Sequence, residues 1–353
     1  MNKPINITIL GCGRWASCHA WYQSTKLGNN VTMWGRDDDP MYQSLATTRK
    51  NGFWELPDNV QTSSDLAGVL AASDYVYIII SAQGMRDLSS KIAAALATSA
   101  GEKTFILCMK GIDEETNETL SQLLRRELNA ADARARHSIC VWVGPGHIEE
   151  FLNDQPGVMI VDGEHTKTVE HIAESFKSPI MKLYVGEDLI GTELGAAAKN
   201  VLGIGAGILD GANMVSLKGA LMARGAYEVS KLIVAMGGKK MTAYGLSHLG
   251  DFEATLFSRN SNNRRFGEAL ITYLQQNPGL KKTPPPVELA RELRLPLAEG
   301  VGTSLALHNL AKKYNVSMPI TETVYRIVHH GINPLTCFGE LFMRDNLREF
   351  NFS

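Results

Sequence analysis

The fold is decided near the amino terminus by the stretch INITILGCGRWA, residues 5–16. Its first half alternates apolar and polar side chains, which predicts a β-strand. Its second half has the pattern G-x-G-x-x-A, typical of a turn that binds a dinucleotide pyrophosphate where a helix begins. We expect Gly11, Gly13, Arg14 and Trp15 to contact a cofactor. The alternative is a tight strand–helix turn that binds no ligand.

The same alternation of strand and helix patterns continues through half of the chain. It predicts a parallel sheet covered by helices on both faces. After about residue 190 only helical patterns follow. We therefore predict an α/β Rossmann-type domain at residues 1–190 that binds NAD(P), followed by an all-α substrate and catalytic domain at residues 191–353. The later strand patterns lie at residues 31–34, 75–80, 104–108, 139–143, 158–161 and 182–185.

Composition excludes several classes of protein. The 353 residues include 35 Lys and Arg against 37 Asp and Glu, a formal charge of −2. This balance argues against nucleic acid or an anionic membrane as the main partner. No run approaches the ~20 apolar residues that span a bilayer. Because the five cysteines lack metal-site spacing and no secretory signal precedes the first strand, we expect a cytoplasmic protein with reduced thiols and no metal.

Arg36 follows the predicted second strand, at residues 31–34. An acidic side chain at this position would accept hydrogen bonds from an adenine ribose, whereas an arginine suits a 2′-phosphate. Asp37 follows directly, and the alternative for Arg36 is a solvated loop charge. We therefore expect NADP or NAD as the cofactor, with NADP favoured.

The most unusual segment is residues 193–203, ELGAAAKNVLG, where small residues surround Lys199. Such a helix approaches other backbone closely, so we expect it to be buried. A buried lysine is costly unless it is paired or partly deprotonated, and a lysine with a lowered pKa suits proton donation to a carbonyl oxygen. The alternative is that Lys199 extends along its helix to reach solvent.

Two further segments carry charged residues that suit the same site. Lys110 follows a strand of the first domain, where it faces the ligand crevice and could bind an anion or depress the pKa of Lys199. Asp251 could orient a catalytic lysine, and the arginines of residues 258–267 could hold a phosphate. The alternative for Lys110 is an ordinary lysine of a surface loop. The alternative for the stretch around Asp251 and residues 258–267 is a capped helix start with solvated arginines.

Together, these segments resemble the soluble bacterial type of NAD(P)-dependent glycerol-3-phosphate dehydrogenase over nearly the whole chain. The resemblance implies reversible hydride transfer between dihydroxyacetone phosphate and sn-glycerol 3-phosphate, at a site between two domains. The most specific motifs are Lys110-Gly111-Ile112, Gly144-Pro145, residues 193–207 with Ala198-Lys199-Asn200-Val201, residues 220–225 and 245–251, Arg264-Arg265-Phe266-Gly267, Glu299-Gly300 and residues 318–322.

The resemblance also implies roles for individual residues. Lys199 matches the proton-transfer residue of the family, and Arg36, Lys110 and Glu299 match positions that contact the cofactor. Positions that contact the substrate are matched by Lys110, Gly144, Asn200, Asp251, Thr255 and Asn263.

This chain departs from the family pattern in the loops that face the substrate. Gly146-His147 replaces a hydroxyl residue and an aromatic residue. The Ser-Arg-Asn of the family, whose arginine holds phosphate, aligns with Ser261-Asn262-Asn263, while Ser258-Arg259-Asn260 lies three residues earlier. Hydrogen bonds to charged groups contribute roughly 1.5–3 kcal/mol each, so a phosphate site that loses its arginine binds phosphate much more weakly. Either Arg259 therefore replaces the missing arginine, or the substrate is not glycerol 3-phosphate.

Three functional hypotheses remain open from the sequence. The first is a glycerol-3-phosphate dehydrogenase, and the second is an enzyme of the same mechanism acting on another small anionic hydroxy or oxo compound. The third is a cofactor-binding protein without catalysis, which the altered loops favour and a buried lysine disfavours. The helical domain is a candidate surface for a homodimer.

Overall fold

The computed structural model describes residues 3–97, 101–132, 136–258, 261–280, 282–296, 298–344 and 349. In this part of the chain, eight strands form one sheet in the order β3-β2-β1-β4-β5-β6-β7-β8. The strands are β1 Asn6–Leu10, β2 Asn30–Trp34, β3 Val60–Ser63, β4 Tyr75–Ile78, β5 Thr104–Leu107, β6 Ser138–Val143, β7 Gly157–Gly163 and β8 Met181–Val185.

The sheet is parallel between all neighbouring strands except β6 and β7, which are antiparallel. Leu10 at the end of β1 pairs with Trp34 on one side and with Ile78 on the other. The chain builds the sheet in one direction from β1 to β3 and then in the other direction from β4. The carboxyl end of β1 is therefore the switch point at which such sheets bind ligands.

Alternating side chains of the central strands fill a core on each face of the sheet. Ile7 and Ile9 pack on one face, and Leu10 and Ile78 belong to the core of the other face. The helices that cover the sheet are α1 Arg14–Trp21, α2 Pro40–Thr48, α3 Leu66–Ala72, α4 Met85–Leu96, α5 Leu120–Ala131, α6 Ile148–Leu152 and α7 Thr166–Ser175.

The second half of the chain is helical around one long central helix, α8. Its helices are α8 Leu189–Gly211, α9 Leu217–Ala235, α10 Asp251–Phe257, α11 Asn262–Gln276, α12 Pro286–Glu292, α13 Gly300–Lys313, α14 Pro319–His330 and α15 Pro334–Phe342. Helix α8 is buried along most of its length, as its small residues predict. A Cβ at Gly207 would overlap the carbonyl of Arg264, so glycine allows α8 and α11 to touch through their backbones.

The observed architecture confirms the predicted fold class, an α/β Rossmann-type domain followed by an all-α domain. Sequence analysis did not predict β3, which pairs only with β2 at the edge of the sheet. The sheet is mainly parallel, as predicted, and the antiparallel β6–β7 pair is the exception among the described strands.

Three simpler expectations concern cysteines, membranes and metals. All five cysteines are buried and free. Among the described residues, no helix is both long enough and apolar enough to cross a bilayer. Within the same ranges, no three His, Cys, Asp or Glu side chains converge to hold a metal ion.

Candidate active site

A cavity of about 690 Å³ opens at the carboxyl ends of β1, β2, β4 and β5. It lies at the switch point of the sheet, where the fold places ligands. Every residue that sequence analysis assigned to the cofactor lies along the wall of this cavity. These residues are Gly11, Gly13, Arg14, Trp15, Arg36, Lys110 and Glu299.

The glycine turn has the shape that a pyrophosphate requires. Gly11 has a φ of +137°, and a Cβ there would overlap the carbonyl oxygen of Ile79. A Cβ at Gly13 would meet no atom within 4 Å, so its α-carbon faces open space. No described side chain caps α1, which leaves the N–H groups of its first turn available to phosphate oxygens. The residues present therefore fit a dinucleotide.

Arg36 and Arg14 lie at two other parts of the cavity wall. The Arg36 side chain is 58% exposed, and its Nε lies 3.5 Å from Oδ1 of Asp38. An exposed pair of this kind contributes roughly 0–1 kcal/mol, so a ligand phosphate can displace Asp38 from Arg36. Arg14 forms an ion pair with Glu149 and thereby ties the glycine turn to α6.

Two lysines from different domains share one carboxylate beside the cavity. Nζ of Lys110, which follows β5, lies 2.5 Å from Oδ2 of Asp251 at the start of α10. Nζ of Lys199 on α8 lies 3.2 Å from Oδ1 of the same carboxylate and donates to Oγ1 of Thr255 at 2.8 Å. Lys110 lines the cavity. Lys199 lies behind it and is connected to Lys110 through the shared carboxylate of Asp251. The structure thus brings together residues far apart in sequence.

Burial and neighbouring charges set the ionisation of this cluster. The Lys199 side chain is 12% exposed, and burial lowers its pKa; Asp251 raises it in part, and Lys110 lowers it again. Burial would raise the pKa of Asp251, but the ammonium groups of Lys110 and Lys199 hold that pKa below its ordinary value. The two ammonium groups share the carboxylate of Asp251, and their positive charge favours an anionic ligand or a developing alkoxide beside them.

A chain of side-chain amides fixes the neighbouring part of the site. Nδ2 of Asn200 donates to Oε2 of Glu299 at 3.2 Å, and its Oδ1 accepts from Nδ2 of Asn263 at 3.0 Å. Oδ1 of Asn263 accepts from the backbone N–H of Gly300 at 2.8 Å. Burial raises the pKa of Glu299, while Lys199 and Lys110 lower it. These bonds hold the start of α13, and with it Glu299, against α8 and α11.

Gly144, which the sequence assigned to the substrate, takes no part in the contacts described above. Gly144 follows β6 with a φ of +135° and packs against the backbone of Met159, while Gly146 lines the cavity. Arg259 lies outside the described residues.

Sequence analysis missed several residues of the site. Gly35, Ser81 and Met109 line the cavity, and the signal for each was its position just after a strand. It also missed His248, which lies three residues before Asp251. His248 is buried against Gly195, a residue distant in the sequence, so no local pattern indicates its position.

A cavity that fits a dinucleotide, with two largely buried lysines beside it, is the arrangement of an enzyme that uses a nicotinamide cofactor. The class that this arrangement defines is that of NAD(P)-dependent oxidoreductases acting on CH–OH groups. The particular family follows from comparison with known proteins. The chain belongs to the NAD-dependent glycerol-3-phosphate dehydrogenase family, whose N-terminal model matches residues 6–169 and whose C-terminal model matches residues 188–338.

Individual proteins resemble the chain along its whole length. Glycerol-3-phosphate dehydrogenase [NAD(P)+] 2 of Salinibacter ruber is 33% identical over 98% of this chain and 96% of its own. Glycerol-3-phosphate dehydrogenase [NAD(P)+] of Thermoanaerobacter sp. is 29% identical over 98% of this chain and 99% of its own. The solved glycerol-3-phosphate dehydrogenase of Coxiella burnetii has a similar fold, with a TM-score of 0.83, 24% identity and coverage of 97% of this chain and 99% of its own. These findings confirm the predicted family.

Proposed function

We propose that this chain interconverts dihydroxyacetone phosphate and sn-glycerol 3-phosphate, with Lys199 as the proton donor and acceptor. The observation that carries the proposal is the single buried carboxylate of Asp251 between the ammonium groups of Lys110 and Lys199. This cluster lies beside a cavity that fits a dinucleotide. It supplies a proton and positive charge where a carbonyl oxygen would become an alkoxide.

The mechanism assigns one step to each group. When bound, the nicotinamide supplies a hydride to C2 of the ketone, or accepts it in the reverse direction. In reduction, Lys199 donates a proton from Nζ to the substrate oxygen as the C=O π bond breaks, and a hydroxyl results. In oxidation, the neutral amine of Lys199 takes up the hydroxyl proton. Asp251 and Thr255 hold Nζ in place, and the lowered pKa of Lys199 eases proton transfer in both directions.

The substrate phosphate needs cationic partners of its own. Lys110 provides one beside the cavity. Asn262 at the start of α11 is exposed and uncharged where the family has an arginine. Arg264 is held by Asp210, with Nε to Oδ2 at 2.5 Å. We therefore keep Arg259 as the proposed phosphate ligand.

We extend the proposal to cofactor preference, domains and cellular context. Arg36 favours NADP over NAD because its guanidinium is exposed on the cavity wall, where it can reach a 2′-phosphate.

A division between the two domains near residue 190 agrees with the end of β8 at Val185 and the start of α8 at Leu189. Five free thiols are typical of a reducing compartment and support a cytoplasmic location. A homodimer stays a prediction for sedimentation equilibrium to test.

The direct test is oxidation of NADPH or NADH, followed by absorbance, with dihydroxyacetone phosphate and with unphosphorylated dihydroxyacetone as the matched control. We expect turnover of the phosphate ester at millimolar concentration or below, and far slower turnover of the control. Activity confined to another small anionic ketone would favour the second hypothesis. Cofactor binding with no turnover of any ketone would favour a non-catalytic protein.

A further inference from the structure

His248 lies in a wide π-type turn, Leu246–Gly250, that leads directly into α10. Its side chain is fully buried, and its ring stacks on Phe252 with centroids 6.2 Å apart. Nδ1 lies 2.8 Å from the backbone oxygen of Gly195, on α8. The histidine therefore joins the turn that carries Asp251 to the helix that carries Lys199.

The chemistry of this contact defines the protonation of the ring. Burial lowers the pKa of His248 to about 4, so the imidazole is neutral near pH 7. A carbonyl oxygen can only accept a hydrogen bond, so the single ring proton lies on Nδ1. Nε2 is buried and has no hydrogen-bond partner among the described residues. The residue is thus built to make one directed bond, to Gly195.

The carbonyl that His248 contacts belongs to the turn of helix that presents Lys199. In an α-helix, the N–H of residue i+4 donates to the carbonyl of residue i, so Lys199 donates to Gly195. His248 adds a second donor to that same oxygen. A Cβ at residue 195 would lie 2.7 Å from Cβ of His248, so glycine at this position admits the close approach.

We propose that His248 is a positioning residue, which holds Asp251 at its distance from Lys199 by donating from Nδ1 to the carbonyl of Gly195. Asp251 lies three residues after His248, and its contact to Nζ of Lys199 spans 3.2 Å. Loss of the His248 bond loosens the attachment of the turn to α8 and lengthens that contact. Lys199 then experiences less of the Asp251 charge, while Lys110 and Glu299 remain near it. The inference rests on the proposed function, in which Lys199 transfers the proton.

The test compares three substitutions at this one position. Asparagine places its amide nitrogen near the position of Nδ1, glutamine places it near Nε2, and leucine makes no hydrogen bond. We expect His248→Leu and His248→Gln to lower kcat by about tenfold or more, and His248→Asn to retain activity within about threefold of the native protein. Ser247→Ala is the matched control, because Ser247 is buried in the same turn and its hydroxyl has no hydrogen-bond partner among the described residues.

A second readout does not depend on the substrate. Competitive labelling of lysine amines with acetic anhydride over a pH series, read by peptide mass spectrometry, reports the pKa of Lys199. We expect that pKa to fall in His248→Leu and His248→Gln, and to stay near the native value in His248→Asn. Binding of NADPH, followed by fluorescence, should change by less than about threefold in all of them.

The outcomes separate this inference from the proposed function. If the native protein does not reduce dihydroxyacetone phosphate, the proposed function fails, and the labelling experiment still decides the role of His248. Equal Lys199 pKa values in the asparagine and glutamine variants would overturn the positioning role. If His248→Leu does not fold, the comparison of asparagine with glutamine carries the test.

Discussion

Nζ of Lys199 lies 3.2 Å from Oδ1 of Asp251, although one residue belongs to the middle of α8 and the other to the start of α10. Neither side chain would be stable alone at this depth, because an unpaired buried charge is strongly unfavourable. Lys110 completes the arrangement from the Rossmann-type domain. The ion pairs of Asp251 with Lys110 and Lys199 therefore connect the two domains and also contain the proposed catalytic lysine.

Replacing Lys199 by alanine should remove the proton donor and leave the cofactor site intact. We expect Lys199→Ala to lower kcat by roughly 10²–10⁴-fold, the usual contribution of a positioned general acid. Fluorescence titration with NADPH should show a Kd close to that of the native protein. Lys167→Ala, on an exposed part of α7, is the control. A parallel loss of cofactor affinity would mean that Lys199 contacts the cofactor instead.

The pH dependence of ketone reduction should follow the ionisation of Lys199. Reduction requires the ammonium form, so the rate is lost as pH rises through the pKa of Lys199. Asp251→Asn removes the largest influence that raises this pKa. We expect the alkaline limb of kcat to move down by about one pH unit or more, together with a lower maximum. Asp58→Asn, at an exposed position, should leave the limb in place; an unmoved limb in Asp251→Asn would contradict the assignment.

Arg36 should discriminate between the two cofactors. We expect Arg36→Ala to raise the Kd of NADPH by about tenfold or more, because a charged hydrogen bond to the 2′-phosphate is lost. The Kd of NADH, measured by the same titration, should stay nearly constant. Arg291→Ala on α12 is a matched control at an exposed position. Equal losses for both cofactors would remove the 2′-phosphate assignment.

The two glycines of the turn should fail in different ways. Gly13 has a φ of −79° and open space around it, so Gly13→Ala should fold normally and bind NAD(P)H more weakly. Gly11 has a φ of +137° and no room for a Cβ, so Gly11→Ala should lose about 2 kcal/mol or more of stability. Urea denaturation and fluorescence titration together measure both effects. A loss of stability in Gly13→Ala would show that a Cβ at this position meets protein atoms, and so that the space beside Gly13 is not open to the cofactor.

Glu228 should make the stability of the protein depend on pH. Its carboxylate accepts from the backbone N–H groups of Ile320 and Thr321 at the start of α14, and burial raises its pKa from 4.5 to about 7. Between these values the folded state keeps a proton that the unfolded state has released. The free energy of unfolding therefore falls as pH rises through this window, by up to roughly 3 kcal/mol.

Urea denaturation from pH 5 to pH 8 measures this dependence. We expect Glu228→Gln to flatten the curve and Glu170→Gln, at an exposed position, to leave it unchanged. The same slope in the native protein and in Glu228→Gln would show that Glu228 does not titrate in this range.

Much of the fold was predictable because its signals are local. Strand β1 alternates apolar and polar residues, the other central strands β2, β4, β5 and β6 are short and mostly apolar runs, and the glycine turn marks the first helix. Strand β3 escaped prediction because three of its four residues, Gln61, Thr62 and Ser63, are polar, as is common at a sheet edge. The antiparallel direction of β7 depends on how the chain crosses the sheet, which no local pattern records.

The sequence by itself determined the glycine turn, the positions of Arg36 and Lys110 after their strands, and a small-residue helix around Lys199. Each depends on backbone preferences and side-chain periodicity within a few residues. The tertiary structure alone decided that Lys110 and Lys199 share Asp251 and that His248 reaches Gly195. Such contacts depend on how closely separate helices pack, and that is set by the volumes of side chains distant in the sequence.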